Sequence, residues 1–118
     1  MDIKEIVLVG EKINRHSIVS LAGIIEKEPA VRQVPINRIS LSECLNRSYP
    51  AGSLLLFSFF SGQFPGVFSM IRQIRTQNPE CVLAAGGPHP SGAPVQTLQA
   101  GFDYVFRGEG EISIPSWL

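Results

Sequence analysis

The sequence is poor in the features that mark several whole classes of protein. Only two cysteines occur in 118 residues, Cys44 and Cys81, and they form no CxxC pair. Neither a disulfide framework nor a thiolate metal site is encoded, and both thiols are expected to pack as small buried apolar groups. Charge of one sign is not in excess: ten Lys plus Arg balance ten Asp plus Glu, so there is no basic stripe for a phosphate backbone. The longest apolar run, Leu54 to Phe60 with Ser58 inside it, is too short to span a bilayer. The opening Met1-Asp2-Ile3-Lys4-Glu5 has neither the basic nor the apolar region of a secretory signal, and the expected location is the cytoplasm. Internal repeats and low-complexity tracts are also missing.

Several motifs are lacking as well. No GxGxxG follows the first apolar run, and neither GxxxxGK[ST] nor HExxH occurs, which excludes a dinucleotide fingerprint, a phosphate loop and a zinc-protease helix. The run Leu54 to Phe57 ends in Ser58, where a phosphoacceptor receiver domain would carry Asp. A Ser/Thr-rich loop of the kind that holds flavin mononucleotide is represented after the first run only by Ser17, so a flavin or nucleotide binder ranks last among the readings.

What is there is enough apolar sequence, 44% against 17% charged, to build one core and one domain. Short apolar runs alternate with amphipathic stretches, the pattern of parallel strands joined by crossover helices. Ile6 to Val9, Leu54 to Phe57 and Val82 to Ala85 are nearly continuous apolar runs, as strands covered on both faces must be. Val31 to Ile36 is interrupted by Arg32, Gln33 and Pro35 and belongs at an edge, because a proline has no N–H for the ladder. Asp103 to Arg107, with Tyr104 and Phe106 on one face, suits the opposite edge.

The helices follow from spacing. Ile18, Leu21, Ala22 and Ile25 form an apolar stripe that predicts a helix from about Ser17 to Glu28, stopped by Pro29. Val67, Met70, Ile71 and Ile74 repeat the spacing, with Arg72, Gln73, Arg75 and Thr76 on the outer face and Asn78-Pro79 as the terminator. Shorter helices are expected around Ser42 to Arg47 and Ala93 to Ala100, the latter anchored by Val95 and Leu98 and closed by Gly101. Glu111 to Leu118 reads as the first turn of a fifth helix, capped by Ser113 with Pro115 in its first turn. Together these elements predict an α/β fold, a flavodoxin-like (Rossmann-like) doubly wound sheet of five parallel strands in the order 2-1-3-4-5 with helices on both faces. Residues 1–118 are expected to be one domain of a longer protein, because ending at Ser116-Trp117-Leu118 would leave the fifth strand partly uncovered, with two large apolar residues at the terminus.

In such a sheet, ligands bind outside the carboxyl ends of the strands, where the strand order reverses. Glycine and proline cluster at those ends. The loop after strand one, Gly10 to Ser17, offers a flexible backbone, a cation and donors ahead of a helix N-terminus, although ordinary capping by Asn14 or Ser17 explains it equally well. After strand three, Ser58-Phe59-Phe60-Ser61-Gly62-Gln63 mixes hydroxyls, an amide and rings suited to a flat amphipathic ligand; the competing reading makes each Phe a core residue. After strand four, Gly86-Gly87-Pro88-His89-Pro90-Ser91-Gly92 is rigidly directed and bare of side chains, as close approach by a large ligand requires. After strand five, Arg107-Gly108-Glu109-Gly110-Glu111 places carboxylates where a helix dipole stabilises them.

Taken together, the GGPHP and RGEGE segments, with Gly101-Phe102-Asp103-Tyr104-Val105 between them, resemble the cobalamin-binding domain of cobalamin-dependent radical SAM proteins. The resemblance is strongest from Val82 to Glu111 and covers the N-terminal half of such a protein. It implies that cobalamin is the cofactor, contacted by Asn14, Arg15, His16 and Ser17, by Ser58, Phe59, Ser61 and Gln63, by Gly86, Gly87, Pro88, His89 and Pro90, and by Gly108, Glu109 and Gly110. Ser58 and the Gly86-Gly87 pair match the family's serine and double glycine, which line the buried nucleotide tail. Asn14-Arg15-His16-Ser17-Ile18-Val19 departs from the family's DxHxxG loop at both the Asp and the Gly, so His16 is not expected to ligate cobalt. His89 either faces the corrin or caps its turn.

The resemblance also implies a partner. A downstream radical SAM domain would carry the 4Fe-4S cluster and S-adenosylmethionine, and with them methyl transfer or related radical chemistry, because Cys44 and Cys81 cannot supply a CxxxCxxC loop. The chain by itself is then not a complete enzyme. The alternative is a cofactor-free interaction or regulatory domain on the same fold, for which a homodimer through the fifth-strand region is the expected partner.

Overall fold

The computed structural model describes residues 3–11, 34–59, 61–86 and 93–105. Five strands, β1 (Glu5–Val9), β2 (Ile36–Ile39), β3 (Ser53–Ser58), β4 (Val82–Gly86) and β5 (Tyr104–Val105), form one sheet in the order β2-β1-β3-β4-β5. Every pairing is parallel. The helices among the described residues are α1 (Leu41–Cys44), α2 (Phe64–Gln77), entered through a 3₁₀ turn at Ser61–Gln63, and α3 (Pro94–Gln99). The expected helix at Ser17–Glu28 and the segment from Phe106 to Leu118 lie outside the described residues.

The three apolar runs occupy the centre of the sheet, and all six residues of β3 are buried. Their side chains divide strictly by alternation. Val7, Val9, Leu55, Phe57, Leu83 and Ala85 face one way, into a core completed by Val67, Ile71 and Ile74 of α2, by Cys44, Tyr49 and Cys81, and by Ala100 and Phe102. Ile6, Leu8, Leu54, Leu56 and Ala84 face the other way and form a second, smaller cluster. Both cysteines are buried free thiols, as their composition suggested, and burial pushes both thiol pKa values up.

The second strand lies at the expected edge but starts at Ile36, where Val31 to Ile36 had been expected. Pro35 explains the shift. It cannot donate to the ladder, but its carbonyl accepts the Ile6 N–H at 2.9 Å, so pairing begins at the proline and runs forward from it.

The short helix expected around Ser42 to Arg47 is α1, which starts one residue earlier and ends three residues earlier. Ser40 and Glu43 make a reciprocal capping box at its start, which fixes the boundary. Helix α2 buries Val67, Ile71 and Ile74 and stops at Asn78, whose side chain donates to the Ile74 carbonyl and accepts the Tyr49 N–H.

Helix α3 corrects a second expectation. Val95 and Leu98, expected to anchor it, are 65% and 44% exposed, while Thr97 and Ala100 are buried. The Thr97 hydroxyl donates to the Ala93 carbonyl, and the small inward residues let the helix lie close to the sheet. Gly101 closes the helix with φ of 122°, and a Cβ there would meet Ile71 Cγ2 at 3.1 Å, so both backbone and space require glycine.

Candidate functional site

The carboxyl edge of the sheet is built differently on its two faces. On the face of the larger cluster, β3 continues from Phe57 into Phe59, a fully buried ring stacked between Phe64 and Phe102 at centroid separations of 6.0 Å. Phe57 and Phe102 meet edge to face at 5.5 Å, and Phe64 packs in turn on Phe68. This side of the strand ends is filled by aromatic side chains.

On the other face the side chains shrink toward the edge. Along β3 the sequence runs Leu54, Leu56, Ser58, and along β4 it runs Val82, Ala84, Gly86. Ser58 and Gly86 are direct register partners. On β1 the same face runs Ile6, Leu8 and then Gly10, whose N–H extends the ladder to the Ile39 carbonyl, and one further step of the β1–β3 register sets Gly10 beside Ser58. Three neighbouring strands thus end in Gly, Ser and Gly on one face, a trough of small residues, buried at Ser58 and Gly86, with a single hydroxyl on its floor.

Two observations bear on what this trough could hold. Ser58 Oγ is buried and has no hydrogen-bond partner, the one such side-chain atom among the described residues. A buried hydroxyl left unpaired costs about 1–3 kcal/mol, which a ligand atom in hydrogen-bonding reach would recover. Beside it, a Cβ added at Gly86 would meet nothing within 4 Å among the described residues, whereas at Gly52 and Gly101 it meets side-chain atoms at 3.0 and 3.1 Å. Gly86 is buried, yet no described residue packs against the position of its Cβ.

The strand ends around the trough are braced. Glu11 Oε1 accepts the Leu41 N–H at 3.0 Å, tying the exit of β1 to the first turn of α1. The Ser40 and Glu43 box caps the same turn, so its donors are satisfied within the chain, and the Ser40 hydrogen bonds hold the Glu43 carboxyl below the usual range. At the opposite, amino edge, Glu5 accepts from Ser53 Oγ at 2.6 Å and from Arg47 at 2.7 Å. Burial pushes the Glu5 carboxyl up, but those two hydrogen bonds and the Arg47 charge outweigh it, so its pKa lies below the ordinary value.

Of the residues singled out in the sequence, Ser58 and Gly86 come together as described. Phe59 does not share their face: alternation turns it into the core. Gln63 stands at the N-cap position of α2, and Ser61 opens the 3₁₀ turn before it. Asn14, Arg15, His16 and Ser17, Gly87, Pro88, His89 and Pro90, and Gly108, Glu109 and Gly110 lie outside the described residues. Glu11 and Gly10 were not picked out as site residues. The signal for Gly10 was available in the sequence, since Ile6, Leu8 and Gly10 alternate as Leu54, Leu56 and Ser58 do.

A sequence model for one family, the B12 binding domain, matches residues 48–117, more than half of the chain. The chain belongs to the B12-binding domain family. The matched segment contains β3, β4 and β5, and with them Ser58 and Gly86. No curated protein matches the sequence. Among solved structures, the N-terminal domain of a hypothetical protein of Thermotoga maritima is 33% identical with a TM-score of 0.50, over 54% of this chain and 52% of that one. A putative phosphosugar isomerase of Bacillus subtilis is 16% identical with a TM-score of 0.64, over 89% of this chain and 30% of that one, a likeness of fold alone. The chain spans about half the length of the first structure and less than a third of the second. Gly10, Ser58 and Gly86 stand at the carboxyl edge, where the strand order turns back between β1 and β3. Among the described residues no cluster of three or more His, Cys, Asp or Glu could hold a bare metal ion, and no helix is long and apolar enough to cross a membrane.

Proposed function

We propose that this domain holds cobalamin across the carboxyl edge of its sheet, with the nucleotide tail in the trough over Gly10, Ser58 and Gly86, and presents the exposed face of the corrin to a radical SAM domain that follows in a longer protein. The observation that carries the reading is the unpaired, buried Ser58 hydroxyl beside Gly86, whose Cβ position no described residue fills. The family membership supports cobalamin as the ligand. When bound, cobalamin supplies a cobalt centre for methyl transfer or related radical chemistry. In that arrangement Ser58 donates or accepts a hydrogen bond at the buried tail, Gly86 and Gly10 allow backbone approach, and Phe59 holds the end of β3 rigid from behind.

The remaining contacts rest on the resemblance. Asn14, Arg15, His16 and Ser17 would line the corrin from the first loop, Ser61 and Gln63 from the third, Gly87, Pro88, His89 and Pro90 from the fourth, and Gly108, Glu109 and Gly110 from the fifth. The 4Fe-4S cluster and S-adenosylmethionine belong to the following domain, so this chain contributes cofactor binding and orientation and no catalytic residue.

The test is a titration with hydroxocobalamin, followed by visible absorbance and by the unfolding temperature. Saturable binding with a rise in unfolding temperature is expected, since a ligand bound only by the folded state must stabilise it. Ser58→Ala is expected to weaken binding about tenfold, the loss of one hydrogen bond, without lowering the stability of the free protein. Gly86→Leu places a large side chain beside Ser58 and is expected to abolish binding. Wild-type binding that neither substitution disturbs would move the site elsewhere, and no binding by this chain or by the longer protein would sink the reading.

A further inference from the structure

Strand β5 is two residues long, where the other four strands have four to six. Its register on β4 rests on two pairs, Ala84 with Tyr104 and Ala85 with Val105, and a slip of one residue would turn both of its side chains to the opposite face. Asp103, immediately before β5, extends that pairing by other means. Its N–H donates to the Leu83 carbonyl at 2.7 Å, and its Oδ2 accepts the Leu83 N–H at 2.9 Å. The same oxygen accepts from Arg75 of α2 at 2.6 Å. Arg75 donates further to the carbonyls of Cys81 at 2.8 Å and Pro79 at 3.3 Å, just before β4, and of Gly101 at 3.5 Å, just before β5. One guanidinium thus ties α2 to the entries of both strands.

We propose that Arg75 and Asp103 are positioning residues for the cofactor site: their pair holds β5 in register on β4 and so sets where β5 ends, at Val105 beside Ala85, one residue short of Gly86. The proposal rests on the proposed function, which takes cobalamin contacts from Gly86 and from the loop that follows β5. As an ion pair the contact stabilises little, because the two side chains are 29% and 41% exposed. Geometry is what it supplies. The planar, forked guanidinium meets four acceptors on two separate segments, and the carboxylate oxygen takes the Leu83 N–H that a longer strand would have paired through its backbone. A strand this short has few ladder bonds of its own to resist a slip, so the side chains before it decide its register.

The test compares Asp103→Ala, Arg75→Ala and the conservative Asp103→Asn with Arg47→Ala, which removes the ion pair at Glu5 and leaves β5 untouched. Hydrogen exchange across Tyr104 and Val105 is expected to be about tenfold faster in each of the first two variants. Hydroxocobalamin, titrated where every variant is folded, is expected to bind them about tenfold more weakly, the lower end of what the loss of a supporting partner costs a site. The double variant should be no worse than either single one, since both act through one pair. Asp103→Asn should restore both readouts, because one oxygen serves Leu83 and Arg75 and the amide keeps it. Arg47→Ala should move neither. Variants that lose stability but keep wild-type exchange and affinity would overturn the proposal, as would faster exchange with wild-type affinity. A wild type that binds no hydroxocobalamin would refute the proposed function and with it the role at the site; the exchange comparison needs no ligand, so that outcome is distinct from a β5 that the pair does not hold.

Discussion

The two faces of the sheet use the same strands for opposite purposes at the carboxyl edge. On one, Val9, Phe57, Phe59 and Ala85 continue the core to the last residue and meet Phe64 and Phe102. On the other, Gly10, Ser58 and Gly86 interrupt the core of Ile6, Leu8, Leu54, Leu56 and Ala84 just before the edge. Phe57, Ser58 and Phe59 are consecutive, yet the outer two are structural and the middle one faces the trough. The period of two along a strand lets a rigid wall and a binding floor share one segment, and the wall fixes the position of the floor.

This contrast can be broken where the wall is thickest. Phe59→Ala is expected to destabilise the protein by about 3–5 kcal/mol in denaturant titrations, because it leaves a cavity between two stacked rings. A cost below about 1 kcal/mol would mean that the aromatic side does not hold the strand end. Next in size is a comparison of glycines. Gly101→Ala forces a side chain onto φ of 122° and against Ile71, and should cost more than about 1 kcal/mol, while Gly86→Ala, where no described residue lies within 4 Å of the added Cβ, should change stability by less than that. Equal costs would show that Gly86 is as tightly packed as Gly101.

The smallest effect sharpens the contrast between the carboxyl edge and the amino edge, where charge rather than space is managed. Glu5 has a lowered pKa in the folded protein, so its pairing with Arg47 and Ser53 stabilises the fold above the ordinary value near 4.5 and is lost as the pH falls through the lowered pKa. With Arg47 about a third exposed, solvent limits the pair to at most about 1 kcal/mol. The stability difference between wild type and Glu5→Gln should therefore be constant from pH 7 to about 5 and shrink below pH 4.5. A difference that does not change with pH would show that the charge of Glu5 contributes nothing.

Much of the fold was legible in the sequence because its signals are local. Three continuous apolar runs could only be central strands, and Pro35 could only sit at an edge. The spacing of Val67, Ile71 and Ile74 defined one face of α2 over fourteen residues. The same reasoning failed on α3, where six residues carry too few repeats of the helical period to say which side faces in. There the close approach of the chain decided, favouring Thr97 and Ala100 over the larger Val95 and Leu98. The first residue of β2 was likewise set by a partner, the Ile6 N–H that reaches the Pro35 carbonyl, and not by the apolar content of Val31 to Ile36.

The candidate site divides in the same way. Sequence by itself determined that serine and glycine replace large apolar residues at the ends of β3 and β4, and that Gly86-Gly87-Pro88-His89-Pro90 follows one of them, because side-chain identity and strand alternation are properties of the chain alone. Tertiary structure decided that Ser58 lies against Gly86, that its hydroxyl is buried without a partner, that Phe59 is withdrawn into the core, and that a Cβ at Gly86 meets no described residue while one at Gly101 meets Ile71. Those are consequences of register and of contacts between residues far apart in sequence, and a pairing shifted by one residue would have turned every one of these side chains to the opposite face.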